Sequence, residues 1–480
     1  MEKDISANIK KIFVVFLLCF IVIMSYITYF ELYKSEEIVK SPYNKRTWAV
    51  RNKVLRGTIY DRNMTILAKS EKTNEDGQKR VYEGGEAFTH AIGYIDLKYG
   101  ITGLEKKYDS QLSYDEGFDI ISFIKNKGKT KENDEKVGRS LKTTLDTDLQ
   151  MLSYELLGNN RGAIVVLNPK TGEVLTMVSK PSFDANNLDK IWDSLQKKEA
   201  NYPFINRATS GLYAPGSTFK VITAVSALEN IKGITSRKFK DNGKLVFNSN
   251  ESISNYGGKA YGNIDLKKAF AESSNVYFGS LGIELGNEKL KETAEKFLFN
   301  KDIPSDGLTI ENSRFPSYKD NEKGNLAQSA IGQAEVLATP MEMALVASTI
   351  ANNGVMMKPY IVSEILNNEK NVVKKINSEK IGNIISEENS KIMRDLMREV
   401  VLKGTGKNAS VSGIKVAGKT GTADHDDIPN VDEPPHSWFI GFAPYEDPKI
   451  AISVIVEEGG TGGKAAAKIA GQVIKEALKK

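Results

Sequence analysis

Hydrophobic and polar positions alternate in several distinct ways along this chain, and each predicts a different kind of element. Residues 12–30 run for 19 positions without a charge, long enough to cross the hydrocarbon core of a bilayer as one helix. Residues 163–178 set two β-rich apolar runs on either side of Asn168-Pro169 and Thr171-Gly172, the pattern of a hairpin. Two further β runs, 437–443 and 449–456, are separated by the Pro444 to Pro448 turn. With the 414–422 segment ahead of them they read as an antiparallel meander. Residues 217–228 are apolar on nearly every side, which predicts a buried helix. Residues 266–279 begin as a helix, break at a polar turn and resume. Helices are also expected at 148–157 and, with an amphipathic pattern, at 463–480. From residue 141 onward these elements fit an α/β arrangement of the α+β type, an antiparallel sheet flanked by helices.

Three short motifs fall within those elements in one order: Ser217-Thr-Phe-Lys220, Ser273-Ser-Asn275 and Lys419-Thr-Gly-Thr422. Each has look-alikes. SxxK recurs at Ser122-Lys125, Ser194-Lys197 and Ser412-Lys415, SxN at Ser6-Ala-Asn8, and KTG at Lys170-Thr-Gly172. The look-alikes have ordinary readings: a hairpin turn at 170–172, polar water-facing segments at 122–125 and 194–197, and Gly413 weakening any helix over 412–415. Only the 217/273/419 set joins that order to settings that suit serine acyl transfer.

Residues at i and i+3 share a helix face, so Lys220 is expected within reach of the Ser217 hydroxyl. Burying an ammonium favours the neutral amine, which makes Lys220 able to take the serine proton near neutral pH. The helix N-terminus adds N–H groups and positive potential where an oxyanion develops. A polar break at 273–275 offers a hydroxyl for proton relay and an amide for orienting substrate. In an edge strand, Lys419, Thr420 and Thr422 can hold a carboxylate, while Gly421 lets a substrate backbone come close.

These motifs resemble those of class B penicillin-binding proteins, membrane-anchored peptidoglycan transpeptidases, and the resemblance covers nearly the whole chain. Asn206 to Lys220, Ala330-Ile-Gly-Gln333 with Ala338 to Ala344, and His436 to Pro444 are similar to the family's transpeptidase signatures. Arg56-Gly-Thr-Ile-Tyr-Asp-Arg-Asn63 and Gly103-Leu-Glu-Lys-Lys-Tyr-Asp109 resemble its N-terminal pedestal motifs. Met64 and Ala334 stand where the family has glycine, which puts local turn geometry in question rather than the nucleophile. The resemblance implies a penicillin-binding transpeptidase (serine β-lactamase-like) fold on a small α+β pedestal. It implies Ser217 as nucleophile, Lys220 as base, Ser273 as proton relay and Asn275 as holder of the substrate amide. It gives Lys419, Thr420 and Thr422 to the substrate carboxylate, and the N–H groups of Ser217 and Thr422 to the oxyanion. Expected partners are peptidoglycan stem peptides, β-lactam antibiotics, the cytoplasmic membrane and a polytopic glycan polymerase of the division or elongation machinery. No cofactor is expected.

Composition fits an envelope enzyme. At 480 residues with 40% hydrophobic and 26% charged, the chain is long enough for more than one domain. Its single cysteine, Cys19, lies inside the apolar run, so the catalytic part has neither disulfides nor cysteine metal sites. Of the three histidines, His90, His425 and His436, none accompanies the Ser217 helix in sequence. His425-Asp-Asp427 lies in a Pro-rich acidic loop better read as solvent-facing or flanking the cleft than as a metal site. A net charge of +5, with no basic stripe interleaved with aromatics, argues against nucleic acid.

No small-residue cleavage site follows the apolar run before Glu31, which predicts an uncleaved signal anchor. Lys3, Lys10 and Lys11 suit a cytoplasmic N-terminus, but Lys34, Lys40, Lys45 and Arg46 follow on the other side. The resemblance decides orientation, with the catalytic part extracytoplasmic. The expected divisions are a cytoplasmic tail (1–11), a transmembrane anchor (12–30), a pedestal (31–140) and a transpeptidase domain (141–480). The charged stretch 126–139 is the expected linker or exposed loop. Two alternatives stand beside the transpeptidase: a β-lactamase or D,D-carboxypeptidase using water as acceptor, and a non-catalytic scaffold that activates a polymerase. The absence of an ExxLN motif weighs against the hydrolase, and three intact motifs weigh against the scaffold.

Overall fold

The computed structural model describes residues 2–34, 54–73, 77–113, 136–247, 251–319, 321–424 and 434–479. Most of the charged stretch 126–139, the Ser122-Lys125 look-alike, His425 and the basic residues Lys40, Lys45 and Arg46 lie outside the described residues. The chain opens with helix α1, Glu2–Tyr29. Within Ile9–Lys34 lies the one helix among the described residues long and apolar enough to cross a membrane, and none of it is buried in the protein.

The elements that follow, in chain order, are β1 (Ile59–Tyr60), β2 (Ile66–Lys72), β3 (Gln78–Val81), β4 (Ser140–Thr143) and α2 (Thr147–Leu157). Next come β5 (Gly162–Leu167), β6 (Val174–Lys180), α3 (Lys220–Asn230), α4 (Leu266–Ala271), α5 (Asn275–Lys296) and α6 (Pro340–Ala351). The chain ends with β7 (Val362–Leu366), β8 (Val372–Lys375), α7 (Glu387–Leu402), β9 (Ala417–Ala423), β10 (His436–Ala443), β11 (Ile450–Val456) and α8 (Ala465–Ala477).

Five strands form the catalytic sheet in the order β9-β10-β11-β5-β6, and every neighbouring pair is antiparallel. The predicted hairpin and meander are thus present, joined through β11 and β5. Their long apolar runs follow from burial on both faces. Ala163, Val165 and Leu167 point into one apolar core with α3 and α6, whereas Ile164 and Val166 point into a second with α2 and α8. Alternate residues of one strand therefore serve two layers.

The N-terminal sheet has six strands in the order β8-β7-β4-β1-β2-β3. Strands β7 and β8 come from beyond residue 360, yet Val362 pairs with Thr143 on β4. The two sequence motifs read there as pedestal signatures meet physically. Arg56 donates to Glu105 (2.6 Å) and Asp109 (2.6 Å), and Arg80 donates to the other oxygen of Glu105 (2.7 Å). Asp61 closes the adjoining turn by accepting from the N–H groups of Asn63 and Thr65 and from the Thr147 hydroxyl.

Met64 and Ala334 both keep the left-handed backbone that glycine favours, at φ 69° and 58°. The turns keep their geometry and carry strain of about 1–2 kcal/mol per non-glycine residue.

Candidate active site

Ser217 lies in a 3-10 turn, Gly216–Thr218, which leads directly into α3. The prediction of one continuous helix from 217 is corrected to a tight turn followed by a helix, and that turn sets Ser217, partly exposed, ahead of a wholly buried Lys220–Ala227 stretch. Phe219 anchors the junction, stacked on Phe315 and edge-on to Phe299. Gly216 has φ +52°, and a Cβ there would stand 2.5 Å from the Thr422 carbonyl oxygen. From the opposite side, a Cβ on Gly421 would stand 2.8 Å from the Pro215 carbonyl oxygen and 2.9 Å from the Thr218 methyl. Both glycines are required because the serine turn lies directly against edge strand β9. Gly421 thus makes room for the nucleophile turn, where the sequence pointed to an approaching substrate backbone.

Ser273 occupies the break between α4 and α5, in left-handed conformation at φ 58°. Ser274 caps α5, its hydroxyl accepting from the Tyr277 N–H at 2.9 Å. The break brings two motif side chains, Ser273 and Asn275, and the Ser273 carbonyl onto two lysines. Lys220 Nζ donates to the Ser273 carbonyl (2.8 Å), to Asn275 Oδ1 (2.7 Å) and, longer, to Ser273 Oγ (3.3 Å). Lys419 Nζ reaches the same Ser273 Oγ at 2.9 Å and the Thr420 carbonyl at 3.0 Å. No hydrogen bond joins Ser217 to Lys220 among the described residues, whose amine is engaged by the 273–275 turn instead. Asn275 Nδ2 donates to the Ser254 carbonyl at 3.0 Å, which leaves one amide hydrogen for a ligand.

Both lysines are fully buried. Burial, and then the neighbouring Lys419 ammonium, hold Lys220 well below the usual lysine range. Burial alone lowers Lys419 to about 7. Desolvation disfavours the charged form, and two like charges beside one hydroxyl disfavour it further. No carboxylate bonds to either amine among the described residues, so one lysine is set to be neutral where an ordinary surface lysine would be charged.

On β9 the threonines point away from Lys419, as alternation requires. Thr420 Oγ1 lies 2.6 Å from Thr405 Oγ1, and Thr422 Oγ1 accepts from the Gly462 N–H at 3.2 Å. Thr405 escaped sequence reasoning, although the Lys403-Gly-Thr-Gly406 tetrapeptide is a turn signal. A Cβ on Gly404 would stand 2.2 Å from the Ala271 carbonyl oxygen, so this turn wedges between the end of α4 and β9. Asp241 and Asn255 were also missed. Their only local sign is the Asp241-Asn-Gly243 turn, closed by the Gly243 N–H on Asp241 Oδ1 at 2.8 Å.

Among the described residues the look-alike motifs stay away from this cluster. Lys170–Gly172 is the β5–β6 turn with Gly172 at φ 85°, Ser194 bonds its own helix at Ile191, and 412–415 is not helical. His90 is half-buried against Phe183 and Pro181, and desolvation lowers it to about 4. His436 pairs in register with Ala423 and accepts from the Glu458 N–H through Nδ1. Among the described residues no group of three or more His, Cys, Asp or Glu is placed to hold a metal.

A serine turn, a base lysine, a serine–asparagine turn and a lysine-bearing edge strand on this sheet define the penicillin-recognising serine acyltransferases as a class. Residues 162–475 match the penicillin binding protein transpeptidase domain, and residues 56–139 match the penicillin binding protein A dimerisation domain. The chain belongs to the penicillin-binding protein transpeptidase family. It is similar to the peptidoglycan D,D-transpeptidase PbpA of Mycolicibacterium smegmatis, 31% identical with 99% of each chain covered. It is also similar to the stage V sporulation protein D of Bacillus subtilis, 33% identical over 83% of this chain and 64% of that protein. Among solved structures, the ceftriaxone acyl-enzyme complex of M. tuberculosis penicillin-binding protein A superposes with a TM-score of 0.82. It is 31% identical, with 89% of this chain and 99% of that one covered.

Proposed function

We infer that this chain is a peptidoglycan D,D-transpeptidase that crosslinks stem peptides through an acyl-enzyme on Ser217. The observation that carries the reading is the convergence of Lys220 and Lys419 on one strained serine, Ser273, with Asn275 bonded to the same Lys220, the residue that opens α3 directly after the Ser217 turn. Ser217 Oγ attacks the carbonyl carbon between two terminal D-alanines, and neutral Lys220 takes its proton. The Ser217 and Thr422 N–H groups stabilise the oxyanion, a role supported by the near contact of Gly216 with the Thr422 carbonyl. On collapse the C–N bond breaks, and the proton passes through Ser273 to the departing D-alanine amine. The amine of a second stem peptide then attacks the ester, its proton returns through Lys220 to Ser217, and the crosslink is released.

Asn275 holds the donor amide. The Thr420 and Thr422 hydroxyls, backed by the positive field of Lys419, hold the terminal carboxylate. Residues 1–11 lie in the cytoplasm, 12–30 cross the cytoplasmic membrane, and 31–140 form the pedestal for the extracytoplasmic domain at 141–480. The exposed helix before residue 34 supports the anchor, and the pairing of β1 with β4, Ile59 opposite Leu141, supports a firm joint between pedestal and catalytic part. A polytopic glycan polymerase in the same membrane supplies the strands to be crosslinked.

The test is intact mass of the detergent-solubilised full chain after brief exposure to benzylpenicillin, with Ser217→Ala as control. A long-lived adduct absent from the variant is expected. Rapid recovery with antibiotic consumed would identify a hydrolase, and no adduct at all would leave the scaffold.

A further inference from the structure

Ser273 and Asn275 both face the lysines while the residue between them, Ser274, faces the other way, into a buried polar knot. At the centre of that knot is Asp241, fully buried at the end of the 239–241 strand. Its oxygens accept from the Ser274 hydroxyl (2.6 Å), from Asn255 Nδ2 (2.8 and 2.9 Å) and from the Gly243 N–H (2.8 Å). Asn255, also buried, accepts from the Val276 N–H at 3.1 Å and donates to the Lys259 carbonyl at 2.8 Å. The knot therefore grips the chain at 274 and 276, on both sides of Asn275. The grip is needed because Ser273 holds a left-handed backbone, which a non-glycine residue adopts only when its surroundings impose it.

We propose that Asp241 is a positioning residue for acylation: acting through Ser274 and Asn255, it fixes the 273–275 turn so that Ser273 Oγ meets both Lys220 and Lys419. None of the three transpeptidase motifs contains Asp241 or Asn255, and neither residue touches the lysines. They belong to the site through the turn alone. Misplacing a catalytic group by about an ångström can cost up to about a hundredfold in rate.

The geometry supplies its own test. Asn255 Nδ2 lies against both Asp241 oxygens, so Asp241→Asn sets donor against donor whichever way the new amide turns. Adding Asn255→Asp reverses the polarity and restores a donor–acceptor pair with residue 241, at the loss of the bond to the Lys259 carbonyl. The Ser274 hydroxyl can then turn to the oxygen of residue 255, already 3.3 Å away. Stopped-flow acylation of the full chain by benzylpenicillin separates the limiting rate from initial binding. Asp241→Asn is expected to lower the limiting rate by about ten- to a hundredfold with binding little changed, and to move the acid limb of the pH profile, because Ser273 links the two lysines. The double variant is expected to recover most of both.

An Asp241→Asn protein that melts as a folded chain and acylates like the parent overturns the proposal. Should Asp241→Asn fail to fold, Ser274→Ala decides: it cuts the link from Asp241 to the turn, and an unchanged limiting rate overturns the proposal equally. The inference rests on the acyl-enzyme reading. A parent chain that forms no adduct refutes that reading, whereas a reactive parent with an unaffected Asp241→Asn variant refutes only this one.

Discussion

Two of the buried clusters of charged side chains among the described residues are built in opposite ways. In the pedestal, Arg56 and Arg80 close on Glu105, with Asp109 as a further acid. In the catalytic cleft, Lys220 and Lys419 share Ser273 with no acid bonded to either among the described residues. Burial disfavours charge in both places. The pedestal acid nevertheless stays below the usual carboxylate range, because Arg80 and Arg56 outweigh its desolvation. Desolvation meets no such opposition in the cleft, and both amines fall. Opposite charges thus fix two segments of the pedestal, while burial without an acid in the cleft favours a neutral amine. Between these extremes stands Glu342, fully buried on α6 with no hydrogen bond to either oxygen.

The contrast breaks first at Lys220. Arginine keeps the charge and cannot act as a base, so Lys220→Arg should lower benzylpenicillin acylation by about a thousandfold and, because it buries a guanidinium with no acid beside it, should lower the melting temperature as well. Retained activity, read by the rate of adduct formation, would mean that Lys220 is not the base. In the pedestal the loss should be one of stability. Glu105→Ala leaves two buried guanidinium groups without their acid and should cost about 3–5 kcal/mol in denaturant unfolding, with the fraction that remains folded still acylating. A smaller loss of acylation than of stability is what separates a structural cluster from a catalytic one.

Glu342 tests the intermediate case through pH. Burial raises it from 4.5 to about 8, offset only partly by nearby Ser313. Below pH 4.5 the carboxyl is neutral in both folded and unfolded chains. Between 4.5 and 8 only the unfolded chain releases the proton, so stability falls as pH rises across that window. Glu342→Gln should flatten this slope and leave the variant roughly 2–4 kcal/mol more stable than the parent at pH 8. Parallel unfolding curves for the two proteins at pH 5 and pH 8 would count against an uncompensated acid.

The gentlest test is the acylation profile of the parent. A lysine whose folded-state value is lowered is neutral above that value and gains its proton as pH falls through it. With Lys419 near 7 and Lys220 well below its ordinary value, the two titrate as a pair around Ser273. Acylation should be level above about pH 8 and approach a tenfold fall per unit at the acid end. A limb placed near pH 10 would show ordinary, charged lysines and remove the contrast with the pedestal.

Much of the fold was legible where it is local. Continuous apolar, β-rich runs announced β5, β6, β10 and β11, and an unbroken apolar stretch announced α3, because burial on both faces leaves no room for polar positions. The insertion of β7 and β8 into the N-terminal sheet was not legible, since Ser363 and the Lys142 carbonyl it bonds are 221 residues apart. In the site, Ser217, Lys220, Ser273, Asn275 and Lys419 could be read because three spaced motifs coincide. Thr405, Asp241 and Asn255 could not, because each earns its place only through a partner on another element.

The sequence alone determined the helix long and apolar enough to cross a membrane, the strands of the catalytic sheet and the residue types of the three motifs, since periodicity and motif spacing are properties of neighbouring residues. Only the tertiary structure decided that Lys220 would point at the 273–275 turn, across 53 residues to Ser273, and that Lys419 would arrive at the same hydroxyl across 146. The physical reason is desolvation. A lysine becomes a base when distant elements close over it and no carboxylate comes with them, and that condition belongs to the packed sheet and helices rather than to any stretch of chain.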